Sequence, residues 1–150
     1  MDTSGRSGES ATPDGTHLLF DCVFNAIHGS PGEDGLLQAY LDLLDIPYTS
    51  CGFYQAALTF NKRDLLSVLK PRGIYCAQSY QLDKGSEIRP DEILERVGLP
   101  CFVKANRAGS SFGVTMVKRP EELQAAIEVA FREDDEILIE TALKGTEVSV

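Results

Sequence analysis

Residues 99–117 read L-P-C-F-V-K-A-N-R-A-G-S-S-F-G-V-T-M-V, two short apolar runs on either side of a polar loop. Cys101-Phe102-Val103 is short and combines an aromatic with a β-branched residue, which predicts a buried strand with Val114–Val117 as its hairpin partner. Lys104 is delivered at the end of that strand. The loop beyond it holds two glycines and two serines, whose bare amides and hydroxyls can wrap an anion. The stretch supports two readings: a grip for phosphate, or an ordinary glycine–serine hairpin turn.

The flanking segments make the same kind of structure. Upstream, Pro90 opens a helix with Ile93, Leu94 and Val97 facing inward, and Gly98 closes it. Downstream, Pro120 starts a helix in which Leu123, Ala126, Ile127, Ala130 and Phe131 recur at helical spacing. The run Glu133-Asp134-Asp135-Glu136 reads as solvated turn. Ile137-Leu138-Ile139 reads as a buried strand, and Glu147–Val150 as a further one, with the sheet truncated at the C-terminus. Tyr75–Leu82 is expected to be a strand, and Asp83–Ser86 a loop. Pro71-Arg72-Gly73 marks the best domain boundary, so residues 71–150 form the second part, α+β in character.

Residues 17–70 read as α/β. His17–Phe20 and Cys22–Ile27 are predicted as strands, the second buried and parallel. The loop H-G-S-P-G-E-D-G follows, and a helix from Leu36 to Asp45 puts Leu36, Leu37, Tyr40, Leu41 and Leu44 on one face. A strand, a Gly-rich turn and a helix place functional groups at the strand's carboxyl end, where His28, Glu33 and Asp34 fall. A single histidine there is more often a loop-stabilising hydrogen bonder than a catalytic group. Phe53–Phe60 is a short helix, and Asn61 caps the next one with Asp64 at its third position. Lys62 lies in that helix's first turn, where the dipole disfavours a cation. It either meets an anion or snorkels into solvent. Residues 1–16 carry almost nothing apolar and read as a disordered leader.

Composition narrows the function classes. A net charge of −9 leaves no basic stripe for nucleic acid. No apolar run reaches the roughly 20 residues needed to span a bilayer, and the N-terminus lacks a signal peptide's pattern, so a cytoplasmic location without a membrane partner is expected. The four cysteines, at 22, 51, 76 and 101, have no close pairs and read as small hydrophobes rather than metal ligands.

Four segments, in order, resemble the ATP-grasp ligases of the D-alanine–D-alanine ligase family. H-G-S-P-G-E-D-G-L-L-Q at His28–Gln38 is similar to the signature at a strand end in the family's first domain. S-C-G-F-Y-Q-A-A-L-T-F-N-K, ending at Lys62, is similar to the segment with its first nucleotide lysine. P-C-F-V-K-A-N-R-A-G-S-S-F-G-V resembles the ATP-grasp lysine and its flap, and I-L-I-E-T-A-L-K-G-T-E-V-S-V the hinge strand that receives adenine and ribose. The likeness covers about residues 18–150 and falls short of the family at both ends. It implies the remainder of a Rossmann-like pre-ATP-grasp domain followed by the ATP-grasp small subdomain.

By this resemblance Lys62 and Lys104 reach the ATP phosphates beneath a flap holding Gly109, Ser110 and Ser111. Glu140 takes the adenine amino group beside Thr141, Ala142 and Leu143, and Glu147 the ribose. Ser110 also helps close the catalytic site, while His28 and Glu33 lie near the D-alanine that donates its carboxylate. The implied reaction joins two D-alanines for peptidoglycan synthesis through an acyl phosphate, in a homodimer, with magnesium ligands expected beyond Val150. Ala105 replaces the family's usual proline. The 150-residue chain is therefore expected to be inactive alone. Two alternatives stand beside this: a truncated, non-catalytic nucleotide-binding remnant, or part of a D-alanine–D-lactate or D-serine ligase.

Overall fold

The computed structural model describes residues 8–11, 13–109 and 113–146. They divide into two compact units, Met1–Thr59 and Phe60–Val150, so the helix that starts at Lys62 joins the second unit rather than ending the first.

In the first unit, the stretch read as a leader contributes a strand. β1 (Gly8–Ala11) pairs antiparallel with β2 (His17–Phe20), Gly8 opposite Phe20 and Ala11 opposite His17. Backbone pairing needs no apolar side chains, and the intervening turn is set locally by Gly15 at φ 82° and by the Thr16 amide donating to Asp14 Oδ1 at 3.1 Å. Cys22–Ile27 is not the buried strand its apolar content predicts. It makes one parallel bridge, Val23 to Tyr48, and Phe24 is 79 % exposed. Apolar composition marks what a segment can bury, whereas a strand also needs ladder partners, and among the described residues Pro47–Thr49 alone supplies them.

Helix α1 (Leu36–Leu43) stops two residues short of Asp45 and buries Gln38 and Leu41, leaving Leu36, Tyr40, Leu43 and Leu44 exposed. Gly35 opens it at φ 90°, with Phe53 O only 2.5 Å from where a Cβ would sit, so glycine is required twice over. Helix α2 (Phe53–Phe60) follows as expected.

The second unit contains α3 (Lys62–Leu69), a 3₁₀ turn at Lys70–Arg72, β3 (Ser79–Asp83), α4 (Pro90–Val97), β4 (Cys101–Ala105), β5 (Thr115–Val117), α5 (Leu123–Ala130) and β6 (Glu136–Thr141). A 3₁₀ turn at Pro120–Glu122 leads into α5. β3 begins later than expected, and Tyr75 lies 87 % exposed before it. The sheet order is β3-β6-β4-β5, every neighbour antiparallel. The strand expected at Glu147–Val150 lies outside the described residues.

The pleat sorts this sheet into two faces. Cys101, Val103 and Ala105 of β4 point to one side with Ile137 and Ile139 of β6, Leu82 of β3 and Val117 of β5. Onto that side pack Ile93 and Val97 of α4 and Leu123, Ala126, Ile127 and Ala130 of α5, giving one continuous core. Each fully buried isoleucine there contributes roughly 1.5–3 kcal/mol of transfer free energy. The opposite face carries Phe102, Lys104, Leu138, Glu140, Gln81 and Asp83. The candidate site residues Lys104 and Glu140 are on this second face.

Candidate functional site

Antiparallel register sets Phe102 opposite Glu140 and Lys104 opposite Leu138, so Lys104 and Glu140 are diagonal neighbours on the face opposite α4 and α5. Their side chains meet: Lys104 Nζ donates to Glu140 Oε2 at 2.8 Å, with the lysine 28 % and the glutamate 13 % exposed. Phe102, two residues before Lys104, places its ring 5.5 Å from the same ammonium. A half-buried cation held by one carboxylate is a charge a ligand can recruit.

A second lysine is brought alongside from another element. Asn61 caps α3 as expected, its side chain accepting from the Asp64 amide at 3.1 Å. Lys62 therefore sits in the first turn. Its ammonium does not snorkel outward but donates to Asn106 O at 3.2 Å and Ala108 O at 3.0 Å, at the root of the loop after β4. Burial lowers the Lys62 pKa, and the nearby Lys104 ammonium lowers it further, while Glu140 and Asp134 pull the other way. Two ammonium groups close enough to feel each other, one of them held among the described residues by backbone carbonyls, make a site that favours a polyanion.

The strand expected to receive a base is partly committed. The Thr141 amide donates to Gln78 O and the Ala142 amide to Pro100 O, both at 3.0 Å, and Thr141 Oγ1 donates to Val97 O at 2.6 Å. These bonds fix the end of β6, and Leu143 beyond it is 58 % exposed. Gly109 ends the described part of the loop. Ser110, Ser111 and Glu147 lie outside the described residues.

In the first unit, His28 and Glu33 do come together. Glu33 Oε2 accepts from the Gly29 amide at 2.6 Å, and Glu33 Oε1 is 3.5 Å from His28 Nδ1. Gly32 is forced by crowding, since a Cβ there would lie 2.5 Å from Ile27 Cβ. Its carbonyl accepts from Asn25 Nδ2 at 2.8 Å and from the buried Gln38 Nε2 at 2.7 Å. The loop lines a cleft of about 540 Å³ with Asn25, Ser50 and Cys51, and Gln38 Oε1 is buried there with no hydrogen-bond partner among the described residues.

Several contributors carry no sequence signal of their own. Gln38 looks like a solvent-facing position on an amphipathic helix. Asp134, within a run read as solvated turn, is 8 % exposed and binds Arg107. Burial raises the Asp134 pKa, but hydrogen bonds from the Arg107 side chain and from the Glu136 and Arg107 amides outweigh it and hold the carboxyl below its ordinary value.

An antiparallel sheet with α4 and α5 packed on one face and lysines from β4 and α3 converging on the other is the architecture of the ATP-grasp ligases. Family models agree: the D-ala D-ala ligase N-terminus matches residues 2–51 and the D-ala D-ala ligase C-terminus residues 69–150. The second match covers more than half of the chain, which therefore belongs to the D-alanine–D-alanine ligase family. A D-alanine–D-alanine ligase from Flavobacterium johnsoniae is 64 % identical over 145 residues, 97 % of this chain and 45 % of the relative. The solved D-Ala:D-Ser ligase from Enterococcus faecalis superposes with a TM-score of 0.78 at 36 % identity, over 88 % of this chain and 39 % of that one. A D-alanine–D-alanine ligase from Bacillus anthracis complexed with ATP gives 0.74 at 32 %, over 84 % and 42 %. The chain thus spans less than half the length of these relatives. Among its described residues, no helix is long and apolar enough to cross a membrane.

Proposed function

We propose that the protein carrying this sequence joins two D-alanines at the expense of ATP, and that residues 60–150 hold much of its nucleotide site. The observation that carries this is the convergence of Lys62, Lys104 and Glu140 on one face of the sheet. The two ammonium groups take the nucleotide phosphates, and the carboxylate of Glu140 takes the adenine amino group once Lys104 has turned to phosphate. Gly109, Ser110 and Ser111 close over the phosphates, Ser110 also closing the catalytic site. Leu143 and the carbonyls beside Thr141 and Ala142 line the base slot, and Glu147 accepts from the ribose. His28 and Glu33 stand by the first D-alanine.

The chemistry follows from charge. The carboxylate of one D-alanine attacks the terminal phosphorus, and the bond to ADP breaks as two lysines neutralise the charge moving onto the phosphoryl oxygens. The amine of the second D-alanine then attacks the acyl carbonyl. Phosphate leaves, the amine gives up a proton, and a peptide bond remains. Among the described residues no group of three or more His, Cys, Asp or Glu gathers as a metal site, so magnesium is assigned no ligand and no step here. A homodimer in the cytoplasm, making dipeptide for peptidoglycan, completes the reading.

In the whole enzyme, Lys104→Ala should raise the KM for ATP about tenfold or more and slow turnover, since a charge-assisted contact to phosphate is lost. Unchanged ATP kinetics would remove Lys104 from the site. The likeness to a D-Ala:D-Ser ligase keeps a second reading open for the acceptor. Product analysis with D-alanine, D-serine and D-lactate decides it.

A further inference from the structure

The strongest unassigned feature is a buried asparagine that ties the two lysine-bearing elements together. Asn106 follows β4 directly and is fully buried. All of its polar groups are engaged. Its amide donates to Glu136 O at 2.9 Å, and its side-chain Nδ2 donates to Glu136 Oε2 at 2.8 Å. Its Oδ1 accepts from the Arg63 amide at 2.9 Å, and its carbonyl accepts from the Lys62 amide at 3.4 Å as well as from Lys62 Nζ at 3.2 Å.

The arrangement solves the problem at the start of α3. A helix leaves its first four amides without internal partners. The Asn61 side chain takes that of Asp64, while the Asn61 carbonyl accepts the first ordinary intrahelical bond, from Leu65. Asn106 takes two more, those of Lys62 and Arg63, from a position 43 residues away from Arg63 in sequence. The cap of α3 is therefore split between a local and a remote asparagine. The remote half belongs to the segment that leaves the strand bearing Lys104. Glu136, which holds the other end of the Asn106 amide, opens β6, the strand bearing Glu140.

We propose that Asn106 is a positioning residue for the nucleotide site: by capping α3 from the end of β4 it sets the distance between the Lys62 and Lys104 ammonium groups. This rests on the reading of both lysines as phosphate ligands. Glu136 orients the Asn106 amide, so that its oxygen rather than its nitrogen faces the helix. Arg63 and Arg107, 3.7 and 3.5 Å from Glu136 Oε2, hold that carboxylate in place.

The test has two readouts. The first is amide hydrogen exchange in the full chain, followed by NMR. Asn106→Ala should speed exchange at Lys62 and Arg63 about tenfold, while the core strands stay protected. Unchanged exchange at both amides overturns the cap. The second is steady-state kinetics of the whole enzyme. Asn106→Ala should raise the KM for ATP about fivefold, with the KM for D-alanine unmoved, and should add nothing when Lys62 is already alanine. Parallel loss in both substrates, or full additivity with Lys62→Ala, would reduce Asn106 to a folding role and overturn the proposal. Asn106→Asp combined with Glu136→Gln keeps the oxygen that caps Arg63 without setting two carboxylates against each other, and should retain more ATP affinity than Asn106→Ala. If the alanine variant does not fold, this pair is compared with Asn106→Leu combined with Glu136→Gln, and equal loss of ATP affinity in the two counts against the cap. If exchange changes as expected but Lys62→Ala leaves ATP kinetics intact, the phosphate role of Lys62 fails and the cap stands.

Discussion

The two units of this chain spend their apolar residues differently. Residues 60–150 gather them into one core of a sheet face and two helices, in which every isoleucine of β6 is fully buried. Among the described residues of 1–59, the apolar ones buried are Leu41, Ile46 and Ala56, while Leu19, Phe24, Leu36, Tyr40 and Leu43 are more than half exposed. The second unit is held by packing, while the first is held largely by hydrogen bonds around Gly32 and by turns. The difference teaches that two kinds of contact fix the chain: the loop at Gly32 is clamped by Asn25 and Gln38, whereas β4 and β6 are locked by apolar packing.

The contrast can be broken most directly in the cores. Ile139→Ala, in the centre of the sheet, should cost about 2–5 kcal/mol, because strands on both sides prevent the cavity from collapsing. Leu41→Ala should fall at the low end of that range or below it, since its surroundings are open enough to relax. Urea unfolding followed by tryptophan-free probes such as far-ultraviolet dichroism measures both. Equal losses would mean that the first unit is as tightly packed as the second.

A smaller effect tests the electrostatic side. Asp134 has its pKa lowered on folding, so it contributes stability above its unfolded value, near 3.9, that is lost as pH falls through the folded value. Asp134→Asn should therefore flatten the fall in urea midpoint between pH 5 and pH 2.5, and an unchanged acid limb would show that Arg107 gains nothing from it. The smallest effect is expected on the exposed side of α1. Leu43→Ser, at a residue 85 % exposed, should shift stability by less than about 0.5 kcal/mol, and a larger loss would reveal packing that the unit does not display.

The second unit was far more legible in sequence than the first, and for a physical reason. Strand alternation in β4 and helical spacing in α5 are consequences of burying one face, so they appear wherever a core is built. Cys22–Ile27 has the composition of a core strand and only one bridge to a neighbour, and composition alone cannot supply that neighbour. Lys62 and Lys104 were legible because each stands at the end of an element with a clear start or stop. Asn106, Gln38 and Asp134 were not. Each acts through a partner distant in sequence, and a buried amide or carboxylate looks the same as a solvated one until its partner is known.

The pairing of Lys104 with Glu140 has one further consequence. On the proposed roles, a ligand that offers only phosphate captures Lys104 and strands a carboxylate that is 13 % exposed, while one that offers only a base amino group captures Glu140 and strands the ammonium. Either half-match leaves a partly buried charge without its counter-ion. Only a molecule that carries both ends at the right separation replaces the pair without loss. On those proposed roles the ion pair would work as a logical conjunction, rejecting free polyphosphate and free adenine alike before any other part of the nucleotide is read.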